Sequence, residues 1–152
     1  MAVRSWVLLD ADDAVDLPPR QWTAADLGLD QAMSAESRLW TGGLQQGVRE
    51  VRIGNGRLTV SILPTRGMGI WKMWAGGVTI GWQSPVRGPV HPAFVPLSEP
   101  SGLGWLDGFD ELLVRCGLES NGAPEFDESG RLKYPLHGRI ANRPAHRVVL
   151  ES

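Results

Sequence analysis

The chain has 152 residues, of which 42% are apolar, and its 15 Lys and Arg against 17 Asp and Glu leave a net charge of −2. That balance argues against a nucleic-acid partner, whose phosphates require a clustered excess of Lys and Arg, and against a membrane span, which needs roughly 20 consecutive apolar residues. With a single cysteine, Cys116, the chain can form neither an internal disulfide nor a thiolate zinc cage, as expected of a cytoplasmic protein.

The length suits about one domain, and 19 Gly with 11 Pro disfavour long helices. Its 7 Trp against 3 Phe and 1 Tyr fit either indole-rich sheet surfaces or a sugar-stacking site. Residues 1–47 carry an acidic stretch from Asp10 to Asp16 and the pair Pro18-Pro19. They are read as an N-terminal extension with little regular structure apart from one short helix capped by Thr23. From Val48 the pattern has a two-residue period: Val51 and Ile53 alternate with Glu50 and Arg52, then Leu58, Val60 and Ile62 with Thr59 and Ser61. Gly54-Asn55-Gly56 between these runs predicts a hairpin turn. A second hairpin follows, Ile70 to Ala75 and Val78 to Gln83 joined through Gly76-Gly77.

Prolines at 85, 89, 92, 96 and 100 exclude a central strand between Ser84 and Pro100, so that segment crosses the surface or lines a cleft as an ordered loop. A turn or single helical turn is expected near Trp105. Glu111 to Glu119 reads as a strand, with Leu112, Val114, Cys116 and Leu118 on an apolar core face and Glu111, Leu113, Arg115, Gly117 and Glu119 on the other. Asn121 to Pro135 reads as a loop and His146 to Glu151 as a strand. The sequence stops where an antiparallel partner should follow, so residues 48–152 are expected to be a partial β-sandwich with an uncovered sheet face.

His91, His137, His146 and Cys116 lack the compact spacing of a zinc motif, and no metal or cofactor is expected. A Gly-x-Ser-x-Gly elbow and a phosphate loop are both missing. On the strand read from Glu111, the stripe Glu111, Arg115 and Glu119 is either a solvated sheet face or the wall of a cleft. In Leu136-His137-Gly138-Arg139 the glycine lets a ligand approach the backbone, and Arg139 offers a planar fork to hydroxyls or carboxylates. A purely structural histidine is the alternative.

The run Tyr-Pro-Leu-His-Gly-Arg-Ile-Ala-Asn from 134 to 142 resembles the Leu-His-Gly segment of aldose 1-epimerases (galactose mutarotases) and the His-Gly segment of hexose-6-phosphate epimerases. Residues 63–70, 81–85, 88–94 and 100–124 resemble a bacterial branch of aldose 1-epimerase-like proteins, and the likeness covers about residues 40 to 150. The resemblance implies an all-β fold, the antiparallel β-supersandwich of galactose mutarotases, of which this chain is the N-terminal part. It implies that His137 sits beside the sugar ring oxygen, while a second histidine and a glutamate base come from the C-terminal half, beyond residue 152. Arg139 stands where typical mutarotases have a second glycine. His137 is therefore the expected catalytic residue. Arg139, Arg115, Glu119 and Asn121 are expected to share its cleft, with Arg66 and His91 supplied by neighbouring loops. The expected partner is a small sugar or sugar acid. Two function classes follow, an acid/base isomerase that opens the sugar ring and a carbohydrate-binding module that uses the same cleft without turnover.

Overall fold

The alternating runs from Val48 become the centre of a six-stranded antiparallel sheet. The computed structural model describes residues 3–29, 32–115 and 118–152. Its strands are β1 (Ser5–Asp10), β2 (Val15–Asp16), β3 (Arg20–Trp22), β4 (Ser34–Leu39), β5 (Arg49–Gly54), β6 (Leu58–Leu63), β7 (Gly69–Ala75), β8 (Val78–Ile80), β9 (Glu125–Phe126), β10 (Leu132–Tyr134) and β11 (Arg147–Glu151). The main sheet runs β3-β4-β5-β6-β7-β8 in chain order. Val51 faces Ile62 and Ile53 faces Val60 across β5 and β6, so their apolar side chains share one face. Asn55 closes that hairpin by accepting the backbone N–H groups of Arg57 and Leu58 on its side-chain oxygen. Gly76 and Gly77 join β7 to β8 with φ of 56° and 81°. Both central residues of this two-residue turn need positive φ, the geometry whose twist matches the flanking strands.

The first 47 residues depart from expectation. They contain β1 to β4, and β3 and β4 extend the main sheet. β4 pairs with β5 from Ser34 opposite Gly54 to Leu39 opposite Arg49. Its sequence, Ser-Ala-Glu-Ser-Arg-Leu, has few β-branched residues, so pairing with β5 rather than local propensity makes it a strand. The helix α1 (Ala24–Leu27) is capped as expected: Thr23 Oγ1 accepts Asp26 N–H while the Asp26 carboxylate accepts Thr23 N–H. The hydrogen bonds from Thr23 pull the exposed Asp26 carboxyl below its ordinary range. The run expected from His146 forms β11, which pairs with β1, and β2 completes a three-stranded sheet.

Buried apolar clusters lie against both faces of the main sheet, while its edge strand β8 stays exposed through Val78 and Ile80. On one face Trp22, Ala35 and Val51 pack with Leu8, Leu27, Val148 and Leu150. On the other, Val48, Leu63 and Trp71 pack with Trp40. Glu50 lies on this second face and is fully buried at 0% exposure. Its oxygens accept Arg38 Nε, Arg52 Nε and Ser61 Oγ at 2.6 Å each and Trp40 Nε1 at 2.9 Å. Burial alone would raise its pKa, but the hydrogen bonds from Ser61, Arg52 and Arg38 outweigh it and hold the carboxyl below its ordinary range.

The strand expected over 111–119 is absent among the described residues of that segment. Its face assignment is also reversed: Glu111 is 2% exposed, whereas Leu118 is 95% exposed. The reason is an ion pair between Glu111 and Arg66, 45 residues away, which alternation cannot register. Cys116, placed on the apolar face by that alternation, lies outside the described residues. The proline-rich loop is packed through Val90 and Val95, and Gly104–Asp107 forms a short 3-10 turn. The segment read as a loop from Asn121 contains the β9–β10 hairpin. Among the described residues no helix is long and apolar enough to cross a membrane.

Candidate functional site

The turn Arg139–Arg143 organises the site. Ile140–Asn142 is a single 3-10 turn, and with Leu118, Glu119 and Tyr134 its flanks line a cleft of about 400 Å³ that includes Arg139, Ile140 and Arg143. Arg139 Nη1 donates to Glu119 Oε1 at 2.6 Å and Nη2 donates to the Lys133 carbonyl at 3.2 Å. Both partners of this ion pair are more than a third exposed, so it orients the two side chains more than it stabilises the fold.

His137 enters the same segment at a φ of 55°, an uncommon conformation for a residue with a side chain. Its backbone N–H donates to the Gly122 carbonyl at 2.9 Å, and its ring stands edge-on to Trp105 with centroids 4.7 Å apart. Nδ1 is buried without a hydrogen-bond partner among the described residues. Gly138 follows and packs on Ser120, whose carbonyl oxygen would lie 3.3 Å from an added Cβ. Asn121 lies between Ser120 and Gly122, in the strip of chain that holds His137 and Gly138.

Arg66 and Arg115 lie behind the turn. Arg66 is 1% exposed. It donates Nε to Glu111 Oε1 at 2.5 Å and Nη1 to the Val90 carbonyl and to Asn142 Oδ1. It is thereby the buried strut joining the proline-rich loop, Glu111 and the 140–142 turn. Arg115 donates to the carbonyls of Gly67 and Arg66. Burial pulls its guanidinium below its ordinary range, Glu111 opposes this, and Arg66 adds to it; a guanidinium stays protonated regardless. Gly67 makes the close approach possible. At φ 57° it sits where an added Cβ would meet Ile140 O, Arg115 Nη2 and Arg143 O.

Of the residues singled out in the sequence, Arg139 and Glu119 line the cleft as a pair, and His137 and Asn121 lie in the segments beside it. Arg115 and Arg66 stand behind its wall. His91 is not among the cleft-lining residues. Its Nδ1 accepts the Ala93 N–H at 3.1 Å, and its ring meets Phe94. Sequence reasoning passed over Tyr134, Ile140 and Arg143. The first two belong to the 134–142 run itself, and Arg143 follows it directly, so the motif was the available signal. Among the described residues, no three His, Cys, Asp or Glu side chains are placed to share a metal ion.

The chain is similar over 99% of its length to a crystal structure of a candidate aldose 1-epimerase from Klebsiella pneumoniae subsp. pneumoniae MGH 78578, with 39% sequence identity and a TM-score of 0.91. It spans 39% of that protein's length. The antiparallel, helix-poor architecture is thus that of the aldose 1-epimerase fold. No curated protein matches the chain. The profile of a family described as a domain of unknown function, DUF4432, matches residues 45–152, and the chain belongs to that family.

Proposed function

We propose that the protein is a carbohydrate-binding isomerase of the aldose 1-epimerase type, acting on a sugar or sugar acid by acid/base ring opening. The observation that carries this reading is the likeness along 99% of the chain to the candidate aldose 1-epimerase, joined to a cleft lined by Arg139, the last residue of the Leu-His-Gly-Arg run. In the reaction, a base removes the proton of the anomeric hydroxyl, the bond from the anomeric carbon to the ring oxygen breaks, and an acid protonates that oxygen. Rotation and closure on the other face return the opposite anomer. His137 donates a hydrogen bond to the ring oxygen as it gains charge. Arg139, oriented by Glu119, holds sugar hydroxyls or a carboxylate in its fork. The resemblance implies that the general base and a second histidine come from outside the stretch of the relative that this chain matches.

One observation favours a carbohydrate-binding module as the second reading: Glu119, a carboxylate lining the cleft, is already engaged by Arg139. The two readings separate by NMR measurement of anomer exchange on a panel of aldoses and uronates with the full gene product. The isomerase reading expects exchange above the buffer rate and a loss of about 10²-fold in His137→Ala. Binding without exchange would establish the module instead, and equal exchange in wild type and His137→Ala would remove His137 from the mechanism.

A further inference from the structure

Four guanidinium groups gather around the Arg139–Arg143 turn. Arg139 and Arg143 line the cleft, Arg66 Nη1 donates to Asn142 from behind, and Arg115 Nη2 lies 2.9 Å from the point where a Gly67 Cβ would also meet Ile140 O and Arg143 O. Two carboxylates answer them, Glu111 on Arg66 and Glu119 on Arg139. Lys133 lies over the Tyr134 ring, and Glu125 stands opposite Tyr134 across the hairpin, so this neighbouring pair cancels. Two positive charges remain in surplus at the cleft of a chain whose net charge is −2. The surplus is carried by Arg115, whose side chain donates to main-chain carbonyls, and by Arg143, which is exposed and makes no side-chain hydrogen bond among the described residues.

Buried polar atoms without partners lie near the same cleft. Arg66 Nη2, Asn142 Nδ2 and Trp105 Nε1 are buried polar atoms without partners among the described residues. All three are donors. Ser120 Oγ and His137 Nδ1 nearby are also buried without partners among the described residues, and unpaired buried polar atoms are uncommon enough to need a reason.

We infer that the cleft selects an anionic monosaccharide, one bearing a carboxylate or a phosphate, and that Arg143 is the residue that meets the oxyanion. This rests on the sugar-cleft reading above and narrows it to a substrate class. Arg143 supplies a forked, charge-assisted contact at the cleft surface. Arg115, set back from the ligand, contributes field rather than contact.

The test is binding, measured by calorimetry on the full gene product with matched ligands: glucose, glucuronate and glucose 6-phosphate, and the same three forms of galactose. The anionic form should bind about tenfold or more tightly than its neutral parent, with the preference falling about tenfold in Arg143→Gln and shrinking as salt is added. Whether the uronate or the phosphate is preferred identifies the oxyanion. Neutral sugars binding as tightly as both anions, or a preference that survives Arg143→Gln in a variant with unchanged melting, overturns the inference. Anomer exchange is recorded on the same samples. Exchange of neutral sugars without anion preference leaves the isomerase standing and removes the inference. Anion-selective binding without exchange does the reverse, and no binding of any ligand removes both.

Discussion

Replacing Glu50 by Gln tests whether the buried carboxylate holds the main sheet together through its charge. Gln keeps the size, but its one oxygen can accept only two of the four donors that now converge on Glu50, Arg38 Nε with Trp40 Nε1 on one oxygen and Arg52 Nε with Ser61 Oγ on the other. With the amide N–H₂ turned to Ser61, whose hydroxyl can accept it, the variant loses the Arg52 hydrogen bond, sets N–H₂ against that donor, and removes the charge from the Arg38 bond. Arg38 and Arg52 side chains are 32% and 30% exposed, so water recovers part of the loss. The net cost should be about 3 kcal/mol, a fall in Tm of about 6–12 °C for a chain of this size. The sign of the pH dependence follows from the depressed pKa of Glu50 in the folded protein. Its contribution is fully present above the unfolded-state pKa and is lost as pH falls through the folded value. Wild type should thus lose more stability on acidification than Glu50→Gln, and the gap should narrow. Denaturant melts of both proteins at neutral and acidic pH provide the measurement, with Ser61→Ala, expected to cost about 1 kcal/mol, as a single-bond control. A Glu50→Gln variant within about 0.5 kcal/mol of wild type at neutral pH, or a gap that ignores pH, would refute the reasoning.

Gly67→Ala should cost about 2 kcal/mol in stability from left-handed strain and backbone contact and should also abolish sugar binding, because the added Cβ displaces the Ile140–Arg143 backbone and the Arg115 guanidinium. Paired melting and ligand titration would expose an error if binding survived intact. His146 should titrate above its ordinary value because the Asp12 carboxylate accepts its ring N–H at 2.8 Å and adds its charge. NMR titration should find this shift reduced in Asp12→Asn, with Asp10 still raising the value. With the folded pKa raised, whatever stability the pair contributes is present at acidic pH and lost as pH rises through the folded value.

The β-hairpins at Asn55 and Gly76 were legible because each depends on residues next to each other in the chain, and the Thr23 cap was legible for the same reason. β4 was not, since Ser34–Leu39 becomes a strand through its ladder with β5 rather than through its own composition. Glu111 exposes the deeper limit. A carboxylate in an alternating run reads as outward-facing, and only the presence of Arg66 from the turn after β6 makes its burial tolerable. The Leu-His-Gly-Arg run pointed to the cleft through Arg139, its last residue, because the motif is contiguous. The assignment of Arg66 and Arg115 to positions behind that wall depends on contacts across 45 to 76 residues, which no local pattern encodes.

Those separations also set an order of assembly. The main sheet grows strand by strand from neighbours, through loops of a few residues, and such short closures sacrifice little chain entropy. The Arg66 strut closes loops of 24, 45 and 76 residues at once, and each has value only when the others are made. The ladder of the main sheet is thus built from near neighbours in the chain and the cleft from distant ones. The cleft is expected to open ahead of the sheet, which hydrogen exchange would read as weaker protection at the Asn142 N–H than along β5 and β6.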